Sequence, residues 1–273
     1  MSLFLYCRDM GLTWLREGRL PFVGADTLLD PFVTSAAVKQ PDGVVAVSEE
    51  EYRAELKSQY DALPEALSSL VTFEYFVEQA AQKRESIETQ IRQRSMPDAI
   101  RLTEKQRKSL TLLSLYERVD NPVLWQYHGD NHRGVVIELD QTHSFFTSKQ
   151  YRDDPQLFTP VKYLQERPLR LREVHPFSPL FTRGEQYQSE REWRIIRPVA
   201  VADKSMESNG QTLYLNKMPA AIIKSVTLGA IIDNELKQSI LSLMKSDLRY
   251  RHIPVYGSYL DATQYQLHRI REN

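Results

Sequence analysis

Cysteine occurs once in the 273 residues, at Cys7. One thiol excludes an internal disulfide and a cysteine-based zinc cluster, and makes a reducing cytoplasm the expected compartment. Long apolar runs are missing too. No uncharged stretch reaches the roughly 18 residues of a membrane span, so no membrane association is expected. The opening MSLFLYCRDMG has no basic n-region, and Arg8 and Asp9 interrupt it too early for a secretory signal. Neither sign of charge dominates, with 35 Lys and Arg against 36 Asp and Glu. Repeats and low-complexity linkers are also lacking. What is present, 41% hydrophobic and 26% charged residues, fits a globular chain and excludes disorder, collagen and coiled coil.

The balanced total conceals two local excesses. Between Asp42 and Glu78 there are nine acidic residues and two basic ones. Between Arg92 and Lys108 there are six basic residues (Arg92, Arg94, Arg101, Lys105, Arg107, Lys108) against two acidic ones. Both runs read as solvated helix faces. The basic run also suits a polyanionic partner, because clustered cations attract phosphate whatever the net charge.

Hydrophobic periodicity predicts a strand at residues 3–7, a helix from Met10 to Arg19 stopped by Gly18, and a strand over Leu20–Val23. Ser48 with Glu51 forms a capping box that opens a helical region running to about Arg94, broken or kinked at Pro64. Further strands are predicted at Leu110–Leu115, Val135–Leu139, Val161–Tyr163, Trp193–Arg197, Thr212–Leu215, Ser225–Leu228 and Ile253–Val255. Asp233 to Lys245 reads as an amphipathic helix with Leu236, Ile240, Leu243 and Met244 on one side. Strands with few intervening helices around a helical block indicate α+β, in one domain over 1–273 with a helical insertion at about 48–108.

Four patterns carry candidate chemistry. In Tyr6-Cys7-Arg8 an arginine ends the first strand, where its fork would suit a pyrophosphate or simply solvent. Trp125-Gln126-Tyr127-His128-Gly129-Asp130-Asn131-His132-Arg133-Gly134 runs directly into the strand Val135–Leu139. His128 and His132 would share a helical face and bind metal there, but the glycines with Asp130-Asn131 give turn character. The segment otherwise suits a ligand-facing loop whose rings stack on a planar group, or a Trp and Tyr that anchor the strand. In Glu190-Arg191-Glu192-Trp193-Arg194, strand alternation puts Glu190, Glu192 and Arg194 on one face. They would form either an exposed salt bridge or a carboxylate pair facing a cleft. Ser114 and Tyr116, one strand earlier, carry hydroxyls within reach of a ribose.

Five blocks resemble, in order, a widespread bacterial domain-of-unknown-function family associated with phage defence: LYCR, LREGRLPF…LLDPF, LLSLYE, LWQYHGDNHRGVVIELD, and YQSEREWRI followed by IKSVTLG. Leu29 stands where that family has Asn, and Tyr116 where it often has Ser. The order of elements in turn resembles the ADP-ribosyltransferase fold, which implies a mixed or antiparallel β core. That resemblance also implies an arginine on the first strand, a hydroxyl on a middle strand, and Glu-x-Glu at a later strand's start. These are Arg8, Tyr116 or Ser114, and Glu190-x-Glu192.

The implied activity is NAD-dependent transfer of ADP-ribose to a nucleic acid or protein acceptor, in a toxin or antiphage effector that an antitoxin would neutralise. NAD is the substrate. Glu192 would stabilise the oxocarbenium-like transition state and Glu190 would handle the acceptor nucleophile. Arg8, Tyr6, Tyr116, Ser114, Trp125, Tyr127 and His132 are the candidate NAD contacts. Glu192→Gln is expected to fold normally and lose NAD turnover, and Arg101→Ala to weaken acceptor binding. Two rivals differ in class: a metal-dependent nuclease using Glu190, Glu192, His128 and His132, and a non-catalytic binding module.

Overall fold

The computed structural model describes residues 2–28, 30, 47–64, 67, 70–95, 102–147, 157–165 and 177–272. Leu29, Pro97, Arg101, Arg167, Arg170, Arg172 and the Asp42-Gly43 turn lie outside the described residues, as do the side chains of Arg92 and Arg94. The chain divides into two compact units. The larger comprises Met1–Thr34, Arg101–Arg167 and His175–Asn273, and the smaller Ser35–Ile100 and Pro168–Val174.

In chain order, the larger unit opens with β1 (Ser2–Cys7), α1 (Gly11–Glu17) and β2 (Arg19–Gly24). The smaller unit contributes α2 (Glu49–Asp61), α3 (Phe73–Ala81) and α4 (Arg84–Ser95). The larger unit resumes with α5 (Glu104–Ser109), β3 (Leu110–Tyr116), α6 (Pro122–Tyr127), β4 (Val135–Asp140), β5 (Leu157–Pro160), β6 (Lys162–Leu164) and β7 (Thr182–Gly184). It ends with β8 (Glu192–Pro198), β9 (Lys204–Ser208), β10 (Gln211–Lys217), β11 (Ile223–Leu228), α7 (Asn234–Ser246), β12 (Val255–Leu260) and β13 (Leu267–Arg271). Helices and a large mixed sheet together make the α+β class.

The smaller unit begins where its sequence signals a start. The Ser48 hydroxyl accepts the Glu51 N–H while the Glu51 carboxylate accepts the Ser48 N–H, the reciprocal capping box. Its core is Tyr52, Leu56, Ala80, Ile87 and Ile91. The helical insertion expected at about 48–108 is thus divided: α2–α4 belong to the smaller unit and α5 to the larger.

The sheet has eleven strands, in the order β13-β12-β11-β4-β1-β3-β2-β10-β9, with β8 on the far edge of β3 and β5 on β8. Among the described residues only β11 and β12 pair in parallel within it; β6 and β7 make a separate parallel pair. β1 and β2 share one edge of β3. Phe4 meets Tyr116 at one end, and Val23 and Gly24 meet Leu112 and Thr111 at the other. The sheet therefore forks at β3, and β8 pairs along the whole opposite edge.

Strand alternation divides the side chains between two faces. One carries Leu3, Leu5, Leu113, Leu115, Ile137 and Ile195 against Trp14 and Leu15 of α1 and Ile240 and Met244 of α7. The other carries Phe4, Tyr6, Tyr116 and Val136 against Leu124 and Trp125 of α6. Truncating one such fully buried Leu to Ala removes about 2–5 kcal/mol. α1 stops where predicted, at Gly18 with φ +61°, whose N–H satisfies the carbonyls of Leu15 and Trp14. The last expected strand is displaced: it begins at Val255, not Ile253, because Pro254 lacks the N–H a ladder needs. The polar strands β9 (KSMES) and β13 (LHRIR) sit at two of the sheet's edges, β5 being a third, where one-sided pairing requires no apolar run.

Candidate active site

Along the β3–β8 ladder Ser114 stands opposite Arg194 and Tyr116 opposite Glu192. Directly opposed residues share a face. Ser114, Tyr116, Glu192 and Arg194 therefore lie together, and the face continues through Phe4 and Tyr6 towards Arg8, which follows β1.

Glu192 is the hub, only 2% exposed. Its Oε1 accepts from the Ser114 hydroxyl at 2.5 Å and from Arg194 Nε at 2.7 Å. Its Oε2 accepts from Arg194 NH2 at 2.9 Å and Arg183 NH1 at 3.1 Å. Two donors per oxygen fill the four lone-pair positions of a carboxylate. Burial alone would raise its pKa. The charge and hydrogen bonds of Arg194, with Ser114 and Arg183, outweigh that and hold it below the ordinary carboxylate range. Arg194 is equally committed, its third contact being NH1 to the Leu180 carbonyl at 2.8 Å. The expected Glu192–Arg194 pair is thus present, but buried rather than exposed.

Glu190 does not stand on the strand. It ends a 3₁₀ turn over Glu185–Glu190, Arg191 takes the left-handed conformation at φ +48°, and β8 begins at Glu192. This overturns the alternation reading, since a left-handed residue breaks the two-residue period. The turn still brings the two carboxylates together, because Arg183 NH1 donates to Glu190 Oε2 at 2.5 Å as well as to Glu192. Burial raises the Glu190 pKa, and the Arg183 charge offsets that only in part. Two neighbouring carboxyl groups thus shift in opposite directions, a pattern that separates proton-handling from charge-bearing roles.

Arg183 carried no signal in the sequence reading. It sits on β7, paired with Tyr163 of β6. The Tyr163 hydroxyl oxygen accepts the Glu192 N–H at 2.8 Å, and burial pushes that phenol up to about 12. A cavity of about 460 Å³ opens beside the start of β8, lined by Glu117, Tyr163, Gln188, Arg191, Glu192 and Trp193 among others.

Arg8 is exposed, and its guanidinium donates to the Tyr127 carbonyl at 3.3 Å. It borders a second cavity of about 300 Å³ with Gln126, Tyr127, Asp130 and Asn131. His128 links the two areas. Its ring lies 5.2 Å from that of Tyr116, and burial lowers its pKa. Glu192 opposes that shift, whereas Arg183 and Arg8 reinforce it, so Arg8 and Glu192 act on one imidazole.

The segment after α6 holds Asp130, Asn131 and His132 at φ +50°, +50° and +66°. Three consecutive left-handed residues are strained unless their surroundings enforce them. Here the His132 N–H bonds the Trp125 carbonyl, and the His132 carbonyl accepts the Ile231 N–H. A Cβ at Gly134 would collide with the Cys7 carbonyl, and one at Gly229 with that of His132. Gly134 lets the segment lie against the end of β1, next to Arg8, and Gly229 lets the chain after β11 approach His132.

Several expected NAD contacts are core residues instead. Trp125 is fully buried and its Nε1 donates to the Val119 carbonyl at 2.6 Å, so its ring is closed to a nicotinamide. Tyr6 packs edge-on against Tyr116 and Trp125 and donates to the Arg118 carbonyl at 2.8 Å. Tyr116 is 4% exposed, and burial raises its pKa. The hydroxyl that reaches Glu192 is therefore that of Ser114. His132 stacks on Trp125, and Tyr127 is exposed at the end of α6.

His128 caps α6 and His132 lies in the left-handed turn, so the two do not share a helical face. Among the described residues no group of three or more His, Cys, Asp or Glu is arranged to hold a metal. Two guanidiniums balance the charges of Glu190 and Glu192. No described helix is long and apolar enough to cross a membrane. The chain matches no protein-family model, no curated protein and no solved structure.

Proposed function

We propose that the protein is an NAD-dependent ADP-ribosyltransferase whose acceptor is a nucleic acid or a protein. The carrying observation is the Ser114–Glu192 hydrogen bond across β3 and β8, with Glu190 joined to Glu192 through one guanidinium. An orphan donor favours a phosphate-bearing substrate: Arg183 Nε–H is buried without a hydrogen-bond acceptor among the described residues.

The bond from the ribose C1′ to the nicotinamide nitrogen breaks, and nicotinamide leaves with the electron pair. Positive charge then develops on the ribose, and ionised Glu192 stabilises it more than the ground state, which lowers the barrier. The acceptor nucleophile forms the new bond to C1′ and gives its proton to Glu190, the carboxylate with the greater proton affinity. Ser114 and Arg194 fix the Glu192 carboxylate. Arg8 offers a second cation for phosphate, exposed beside its own cavity. Lys105, Arg107 and Lys108 on α5 are the members of the basic run whose side chains are described, and exposed Lys162 on β6 adds a further cation for a polyanionic acceptor. A toxin or antiphage role with a neutralising partner follows from the family resemblance.

The test is incubation with labelled NAD and cell lysate, then separate nuclease and protease digestion. Label transfer that one digestion abolishes, and that Glu190→Gln prevents, is the expected result. Wild-type protein that neither binds nor consumes NAD with lysate supplied removes the proposal, and binding without turnover makes the protein a ligand-binding module.

A further inference from the structure

The two arginines of the site differ in how far they are committed. Arg194 spends all three of its nitrogens on Glu192 and the Leu180 carbonyl, and its side chain is 7% exposed. Arg183 makes hydrogen bonds only through NH1 among the described residues. Its Nε–H has no acceptor there, with Asp30 Oδ2 4.0 Å away. Its guanidinium lies 3.9 Å from the ring centroid of Tyr187, a half-exposed platform over which a planar cation can slide.

Charge counting gives this difference a meaning. With both arginines in place, two cations cancel two carboxylates, and the lone pairs of Glu192 are full. A carboxylate pair so neutralised has no net charge to set against a developing cation, Asp30 at 4.0 Å from Arg183 Nε being a further anion beside that arginine. We propose that Arg183 is a displaceable latch: it neutralises Glu190 and Glu192 in the resting site, and the pyrophosphate of an incoming dinucleotide draws it away. Its departure frees Glu190 and one acceptor position on Glu192 Oε2, and leaves one net negative charge facing the ribose. Arg183 Nε, which has no acceptor among the described residues, lies beside NH2 in the guanidinium, and the two together make a fork that grips phosphate oxygens. The latch rests on the NAD reading above and adds to it a residue that senses the phosphates.

Isothermal titration of wild type, Arg183→Lys and Glu190→Gln with ADP-ribose and with adenosine tests this, in buffers of different ionisation enthalpy. Lysine keeps the charge but not the fork. Arg183→Lys should weaken ADP-ribose at least about tenfold and leave adenosine unchanged. Wild type should take up part of a proton when ADP-ribose binds in mildly acid buffer, because Glu190, whose pKa burial already raises, loses its cation there, and Glu190→Gln should take up none. Arg183→Lys that binds ADP-ribose like wild type, or wild type that binds without proton uptake, overturns the latch alone. Wild type that binds neither ADP-ribose nor NAD removes the functional reading together with it.

Discussion

Glu192→Gln tests the buried hub directly, and the structure changes what it should do. From sequence alone this variant is expected to fold normally. In the structure the carboxylate is 2% exposed and accepts four hydrogen bonds, three of them from guanidiniums. The amide keeps one acceptor oxygen but turns an NH₂ towards a donor, so Arg194 loses its counter-charge and Arg183 keeps only that of Glu190 nearby. Removing one partner of a buried pair removes about 3–5 kcal/mol. The retained oxygen places this case near about 3, or a fall in Tm of roughly 6–12 °C for a unit of this size. A thermal melt by circular dichroism at pH 7 reads it. The sign with pH is fixed as well. A carboxyl whose folded pKa is lowered contributes stability above its unfolded value and loses it as pH falls through the folded one. The wild-type and variant melting temperatures should therefore converge on acidification. A variant melting within about 2 °C of wild type at pH 7 would refute the hub, and activity must be compared well below both melting temperatures.

Glu190→Gln should behave oppositely. Its raised pKa means that the ionised form weighs against the fold as pH rises, so the variant's stability relative to wild type should improve between acid and neutral pH, as a paired melt series would read. Trp125→Ala should lose about 3–5 kcal/mol by chemical denaturation, a fully buried ring and the Val119 bond both going; a loss of NAD affinity with stability intact would restore the stacking role. Arg8→Ala should melt like wild type, because the side chain is exposed, and raise the KM for NAD about tenfold or more if it grips phosphate; an unchanged KM assigns Arg8 to the surface.

Much of the scaffold was legible because its signals are local. The capping box at Ser48, the glycine that stops α1, and the apolar runs of β1, β3 and β4 each act through near neighbours. The Glu-x-Glu pair was legible as a site, though not as a strand face, because nothing in the residue types announces the left-handed Arg191. Arg183 was invisible: a three-residue strand carries no periodicity, and its meaning lies in carboxylates seven and nine positions away along a turn. Trp125, Tyr6 and Tyr116 were assigned to the ligand because an aromatic ring reads alike in a core and in a binding loop; only the α6 lid over β1 decides between them.

The fork at β3 bears on how this chain tolerates change. β2 ends on Thr111 and the chain resumes β3 from the neighbouring residue, with the Ala25 N–H bonded to the Leu110 carbonyl. Topologically, everything from Asp26 to Ser109 is the tip of one hairpin. Ring-closure entropy grows only logarithmically with the span enclosed, by about 0.6 kcal/mol per doubling, so lengthening a tip already of that size adds little. The fork therefore sets the whole span apart from the ladder that holds Ser114 opposite Arg194.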